Sequence, residues 1–321
     1  MKGRYLDIGN INHLIEQRNG GGVFDNKLWR ESYYFNMTDP RNGISLITTI
    51  GQLPNRKRSA GFLLLIEGGK PTLLKPLVSF KVPVFTDHRI KLGRMTYSIQ
   101  GIDWLLKYGD NGTSMDLRFS PINRLYAYRK EQDDEWEFES IASQHYEQFG
   151  EYSGTIVLRG KKFDIQGALG HRDHSWGVRD WGSIDRYSLH CCAFSSKFAF
   201  NLWEGVIGGK RFYKGFVFDG ENNLDIIERS VRTEFRPDGR EPLRSTIRIK
   251  DSNHRTHEIL SESLVSVPFP PPGALVHEGI ARMTGGDLVG YGLQEYLWHY
   301  PNTMRRIPIW FRLLKMKGVL G

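Results

Sequence analysis

A chain of 321 residues is long for a single hydrophobic core and about right for two domains of ordinary size. With 39% hydrophobic and 12% aromatic residues and a mean hydropathy of −0.44, it reads as a folded protein with a water-facing surface, and no apolar run reaches membrane-spanning length. The net charge of +8 is dispersed, with 44 Lys and Arg among 36 Asp and Glu, and neither a basic helix nor an aromatic RNA motif is present, so no nucleic-acid partner is expected.

The start, Met1 to Asp7, lacks the apolar segment of a secretory signal, which leaves a cytoplasmic location as the expectation. Short β-branched and aromatic runs then follow one another, punctuated by Gly, Asn, Asp and Pro, as all-β sandwiches and barrels require. Strands are predicted over Glu31–Asn36, Ile44–Ile50, Gly61–Glu67, Thr72–Pro76, Met95–Gln100, Trp104–Tyr108, Thr113–Ser120 and Trp136–Ser140. Turn signals at Asp39-Pro40-Arg41-Asn42-Gly43, Pro54-Asn55-Arg56-Lys57 and Asp110-Asn111-Gly112 separate several of them. The charged, acidic stretch between Tyr126 and Gly150 is read as the domain boundary, giving domains over 1–145 and 146–321.

The second half opens on a hairpin, Ser153–Leu158 and Phe163–Leu169 joined by Gly160-Lys161-Lys162. Strands follow over Ser188–Phe194, Phe198–Val206, Phe212–Asp219, Asp225–Thr233, Ser245–Lys250 and His257–Val267; Pro268–Gly273 reads as a connector, and Gly279–Met283 and Val289–Trp298 close the second sheet. The two cysteines, Cys191 and Cys192, are adjacent and point to opposite faces of a strand, so no structural disulfide is expected. The tail from Ile307 to Lys317 mixes large apolar residues with cations and is predicted to form a short helix. It either lies on a membrane surface, as a peripheral contact, or packs across the mouth of a domain with its cations in water, the second reading being favoured.

Chemistry concentrates in Gly170-His171-Arg172-Asp173-His174-Ser175-Trp176-Gly177. On an extended strand His171, Asp173 and Ser175 face one side and Arg172, His174 and Trp176 the other; the two imidazoles then cannot meet on one ion without a bulge, and no metal is expected. His174 and Trp176 are expected to look together into one environment, a hollow of the C-terminal half, with Asp173 paired to Arg172, Arg179 or Arg186. Gly170 and Gly177 suit close backbone approach or positive φ. A second reading makes the segment a buried polar network that fixes a corner between strands. No nucleotide cofactor is expected, because Asn19-Gly20-Gly21-Gly22 has neither the P-loop lysine nor the Rossmann spacing, and no Gly-x-Ser-x-Gly elbow occurs.

The stretch from Gly167 to Trp181 resembles the signature of the second domain of a bacterial lipocalin-like superfamily that includes carotenoid 1,2-hydratase, AttH-like proteins and fungal lipocalin-like Diels–Alderases. Glu31 to Asn36 followed by Gly43-Ile44 resembles the opening strand of the partner domain, and Gly290 to Tyr296 the closing strand. The resemblance implies two tandem lipocalin-like antiparallel barrels or sandwiches. In the carotenoid hydratases it implies a His-x-Trp pair and a Tyr-x-Asp pair on the following strand that protonate an isoprenoid double bond. His174-Ser175-Trp176 matches the first pair; the second is not reproduced, since the next strand reads Phe200-Asn201-Leu202-Trp203-Glu204.

Protonating an unactivated alkene needs a carboxylic acid kept neutral by apolar surroundings. Glu204, on a face with Phe200 and Leu202, and Glu295, between Leu293 and Leu297, are the candidate donors beside His174, Trp176 and Asp173. Trp176, Trp203, Tyr291 and Trp298 offer π-faces for a carbocation, and His171 and Asn201 complete the candidate ligand contacts. The expected function is a cofactor-independent enzyme that hydrates, isomerises or cyclises an isoprenoid, steroid or polyketide. The alternative is a carrier of apolar ligands, since barrels of this size enclose such cavities.

Overall fold

The computed structural model describes residues 26–80, 85–86, 89–128, 142, 144–300 and 309. The expected strand Trp136–Ser140 and all but one residue of the expected tail helix lie outside the described residues. Every long element is a strand; the exceptions are short 3-10 turns at Pro54–Arg56 and Trp181–Ser183. No helix among the described residues is long and apolar enough to cross a membrane.

The chain parts into two compact units between Arg179 and Asp180, with Leu64–Leu74 grouped with the second. This corrects the expected boundary at 145/146. Strand β9 (Thr113–Pro121) and β11 (Gln144–Leu158) are hydrogen-bonded neighbours over Gly150↔Pro121 to Leu158↔Thr113, so the acidic stretch between them is a connection within one sheet. The break falls at the 3-10 turn after Arg179, where the Asp180 carboxylate accepts from the Gly182 amide at 2.9 Å. In consequence the long central motif belongs to the first unit.

Together with Leu64–Leu74, which belong to the same sheet by strand pairing, that unit comprises a single antiparallel sheet. It begins with a meander of β1 (Trp29–Asp39), β2 (Ile44–Leu53), β3 (Arg58–Glu67) and β4 (Lys70–Ser79), and continues through β5 (Phe85–Thr86), β6 (Arg89–Leu92), β7 (Met95–Gln100), β8 (Asp103–Asp110), β9, β10 (Tyr126–Ala127), β11 and β12 (Lys161–Val178). The spatial order is β4-β3-β2-β1-β12-β11-β9-β8-β7-β6-β5, with β10 beside β11. One face curls onto itself: Thr48 Oγ1 on β2 and Tyr97 OH on β7 lie 2.7 Å apart, and the Phe35 ring packs against Tyr97, Trp104 and Phe119 at 5.1 to 5.8 Å. Four of these five side chains are aromatic, and their burial fixes the curl through both apolar area and edge-to-face geometry.

The second unit is a closed eight-stranded barrel: β13 (Ile184–Ser195), β14 (Phe198–Ile207), β15 (Lys210–Phe218), β16 (Asn223–Phe235), β17 (Pro242–Asp251), β18 (Thr256–Phe269), β19 (Ala274–Gly285) and β20 (Leu288–His299), closed by β13 on β20. Pro268–Gly273 is a hairpin connection here, since β18 runs on through Pro268, which faces His277. One part of the barrel interior is apolar, filled by Cys192, Phe200, Leu202, Val217, Ile247, Ile249, Ile259 and Met283. Cys191, on the opposite face of β13, accepts from Asn201 Nδ2 at 3.0 Å, as adjacent strand positions require.

Candidate active site

Strand β12 lies between β1 and β11, and its pairings (Trp176 with Glu31 and Gln144, His174 with Tyr33 and Tyr146, Arg172 with Phe35 and Gln148) set those nine side chains in three rows on the inner face of the first sheet. The two glycines work as the sequence suggests. A Cβ on Gly170 would sit 2.0 Å from the Asn36 carbonyl oxygen, so only glycine lets β12 seat against β1 there, and Gly177 has φ +132° where the strand ends.

The His174 and Trp176 rings do come together, with centroids 5.0 Å apart, but inside the first unit rather than in the C-terminal half. His174 stacks on Tyr33 at 4.1 Å, and Tyr146 packs edge-on to Trp176 at 5.2 Å. The carboxyl that meets them is Glu31. Its Oε1 accepts from Tyr33 OH at 2.7 Å and lies 2.9 Å from His174 Nε2; Glu31 and His174 are both fully buried. Glu31 Oε2 has no hydrogen-bond partner among the described residues, nor has either end of the buried Gln52 amide, which faces Glu31 directly across the β1/β2 ladder. The close approach of Gly61 to Ile50 puts Ser59 opposite Gln52 in antiparallel register, and the buried Ser59 hydroxyl is likewise unpartnered among the described residues. Each such group costs about 1–3 kcal/mol to bury without a partner, so a cluster of them concentrated at one place marks a point built to meet a group that both donates and accepts.

Two rows deeper, the buried Arg172 donates from Nε to Gln148 Oε1 at 2.9 Å and lies 5.2 Å from the Trp104 ring. The lumen therefore carries a cation at one level and an acid with an imidazole at the next.

The opposite face of the same strands holds His171, Asp173 and Ser175, as the alternation predicts. His171 Nε2 is in short contact with Glu147 Oε2, its Nδ1 is 3.1 Å from Asn36 Nδ2, and His145 Nε2 is 2.8 Å from Glu147 Oε1. Burial opposes ionisation of Glu147, but the two imidazoles outweigh it and hold its carboxyl well below the usual range. Asp173, which faces Glu147 across the β11/β12 ladder, moves the other way: burial first, then the Glu147 charge, raises it, against the pull of His145, His171 and Arg179. Arg179, one of the cations expected to pair with Asp173, donates from Nη2 to Ser175 Oγ at 2.7 Å. His171 and Asp173 thus belong to a different polar network from His174 and Trp176.

The remaining candidates lie in the second unit and divide by face. Ser188 faces Glu204 while Leu189 faces Trp203 and Glu295, so Glu204 points to the barrel interior and Glu295 to the outside. Glu204 accepts from Arg229 Nε at 3.1 Å, and burial raises its pKa against that pairing. Glu295 is in short contact with Tyr187 OH, whose ring also packs edge-on to Trp203 at 5.8 Å. Asn201 and Tyr291 share the outer face, opposite Cys191 and Ala193. The candidates therefore divide by strand face within each unit: His174 and Trp176 against His171 and Asp173 on β12, and Glu204 against Asn201 and Trp203 on β14. Glu31, Gln52 and Ser59 escaped the sequence reading; the one signal for them was Glu31-x-Tyr33-x-Phe35, a carboxylate sharing a strand face with two aromatics.

Two β units, one a curled sheet and one a closed barrel, each with polar side chains in an otherwise aromatic and aliphatic interior, define a tandem lipocalin-like protein. Residues 23–300 match the family described as Domain of unknown function (DUF7064), and the chain belongs to it. No curated protein matches the sequence. Among solved structures, the fold is similar to a Nitrosomonas europaea protein described as AttH (TM-score 0.64, 12% identity, covering 92% of this chain and 97% of that one). It is also similar to kievitone hydratase from Nectria haematococca (0.58, 11%, 84% and 88%) and to CghA in complex with Sch210972 (0.61, 12%, 86% and 90%). These likenesses establish the fold expected from the central motif.

Proposed function

We propose that the protein is a cofactor-independent enzyme that protonates a carbon–carbon double bond of a neutral, largely apolar small molecule within the first unit, by Glu31 acting with His174. The observation that carries this reading is the buried Glu31 carboxyl, paired across the ladder with Trp176, with one oxygen fixed by Tyr33 and His174 and the other unpartnered among the described residues. Likeness in fold to a protein named a hydratase supports the same direction.

With Oε1 accepting from Tyr33 OH and from His174 Nε2–H, the acidic proton of Glu31 sits on Oε2, the atom that delivers it. The π bond takes the proton, the cation that forms faces the Tyr33, Tyr146 and Trp176 rings, and a water oxygen adds to it and returns a proton to Glu31, so that water is added in net. Loss of a proton from a neighbouring carbon to the same carboxylate gives isomerisation instead, and attack by a second double bond gives a cyclic cation that loses a proton to the same carboxylate, which is cyclisation. Arg172 disfavours a positive centre at its own level, which directs the reacting bond toward the Trp176 end. Gln52 and Ser59 are placed to hold the water or a substrate oxygen.

The test is incubation with a panel of neutral polyenes, sterols and prenylated phenols in D2O, reading deuterium gain and water addition by mass spectrometry. Turnover is expected in the wild type and a loss of at least about a hundredfold in Glu31→Gln and His174→Ala, the span of general acid catalysis. Ligands recovered unchanged from every incubation would instead favour carriage, and unaltered turnover in both variants would remove the roles assigned here.

A further inference from the structure

The closed barrel carries a polar centre of its own, independent of the Glu31 site. Tyr296 OH lies 2.6 Å from Thr233 Oγ1, 3.0 Å from Ser245 Oγ and 3.2 Å from His190 Nε2, and Gln294 Nε2 donates to Ser245 Oγ at 3.0 Å. Strands β13, β16, β17 and β20 thus meet across the lumen. Three atoms of this layer, all on side chains at most 1% exposed, have no hydrogen-bond partner among the described residues: His190 Nδ1, Gln294 Oε1 and Ser261 Oγ. His190 and Gln294 are directly paired across the β13/β20 ladder and Ser261 faces Ser245, so the three lie around one level of the interior. Burial drives the His190 pKa down to about 3, which keeps the ring neutral.

The wall beside this layer is only partly laddered. Pairing of β15 with β16 is confined to Phe216–Phe218 against Asn223–Asp225, after which the two strands separate. Side chains bridge the slit where the ladder stops: Tyr213 OH donates to the Ile227 carbonyl at 2.8 Å, and Arg229 lies 4.2 Å from the Tyr213 ring while donating to Glu204. The inward residues of β16, Val231, Thr233 and Phe235, are half-buried in consequence, and Phe235 packs edge-on to Tyr296 and Trp298 at 5.5 and 5.4 Å.

We infer that the second barrel is a binding site for a neutral, hydroxyl-bearing, flat apolar molecule that enters between β15 and β16 and seats its hydroxyl among His190, Gln294 and Ser261. A hydroxyl donates once and accepts, which suits the carbonyl oxygen of Gln294 on one side and the imidazole and serine on the other. The Phe235, Tyr296 and Trp298 rings flank an apolar body. An anion is disfavoured because, among the described residues, no Lys or Arg is bonded to His190, Gln294, Ser261 or Tyr296, and Arg229 at the slit is already paired with Glu204.

The experiment uses the full chain with 13C- and 15N-labelled histidine and titrates 2-naphthol, naphthalene and 2-naphthoate at pH 7, following the His190 ring resonances, which are assigned by their loss in His190→Gln or by their perturbation in Gln294→Leu. We expect a saturable shift with 2-naphthol, an affinity at least about tenfold weaker for naphthalene, the worth of one hydrogen bond, and no shift with 2-naphthoate. Val231→Trp, which fills the slit, is expected to weaken 2-naphthol binding at least about tenfold. His190 resonances unmoved by 2-naphthol, or equal affinities for 2-naphthol and naphthalene in the wild type, would overturn the inference. So would undiminished binding in a folded Val231→Trp protein.

Discussion

Replacing His190 by Gln should flatten the acid limb of the second unit's stability curve. The imidazole is fully buried, its hydrogen-bonding neighbour is Tyr296, Gln294 faces it across the ladder, and the Glu204 and Arg229 charges on the interior face are paired with each other at the slit. Burial takes its folded pKa to about 3, against an ordinary 6.5. Between these values the unfolded chain holds a proton that the folded one does not, so this contribution is fully present above pH 6.5 and is lost as pH falls toward 3. Each pH unit in that window costs about 1.4 kcal/mol, and a descent from pH 7.5 to pH 4.5 costs about 2.7 kcal/mol from this residue alone. His277, lowered to about 4 chiefly by burial, adds a comparable slope. The assay is urea unfolding of wild type and His190→Gln at half-unit intervals from pH 7.5 to 4.5. The variant should lose stability at pH 7.5, where its amide replaces a ring bonded to Tyr296, yet fall with pH about half as steeply. Parallel curves would refute the claim that His190 is folded in its neutral form.

Other perturbations follow from single contacts. Gly170→Ala places a methyl 2.0 Å from the Asn36 carbonyl and 2.7 Å from the Tyr152 ring, and should destabilise the first unit by more than about 2 kcal/mol in chemical denaturation. Glu31→Ala leaves the buried Tyr33 hydroxyl and His174 Nε2 without their acceptor and should cost about 2–5 kcal/mol, whereas Glu31→Gln, which keeps an oxygen for Tyr33, should cost less than half of that; equal losses in thermal unfolding would contradict the pairing. Trp104→Ala removes a buried ring packed on Phe35 and Tyr33 and under Arg172, and should cost about 3–5 kcal/mol.

Strand positions were legible in the sequence because one face of nearly every strand is buried, and period-two alternation records that directly. The alternation from His171 to Trp176 likewise gave the two faces of β12, and with them the separation of His171 and Asp173 from His174 and Trp176. Pairing was not legible. Nothing local in Glu31-Ser32-Tyr33 states that this strand lies beside Trp176-Ser175-His174, nearly 150 residues onward, and without that pairing the acid of the site could not be found. The same gap explains the misplaced boundary: an acidic run looks like a linker until β9 and β11 are seen bonded on either side of it. Glu204 and Glu295 stand out in the sequence by their apolar neighbours, a criterion that cannot tell the inside of a barrel from its outer wall.

The central claim is that ligand binds in the lumen of the first unit, against Glu31, Gln52 and Trp176. Its most direct measurement is photolabelling with a neutral terpenoid bearing a diazirine, followed by peptide mass mapping with and without excess unlabelled ligand. Competed label on β1, β2 and the 174–176 segment of β12, reduced in Trp176→Ala, is the result expected. Label absent from all three strands, with the ligand nonetheless bound by the protein, would contradict the account.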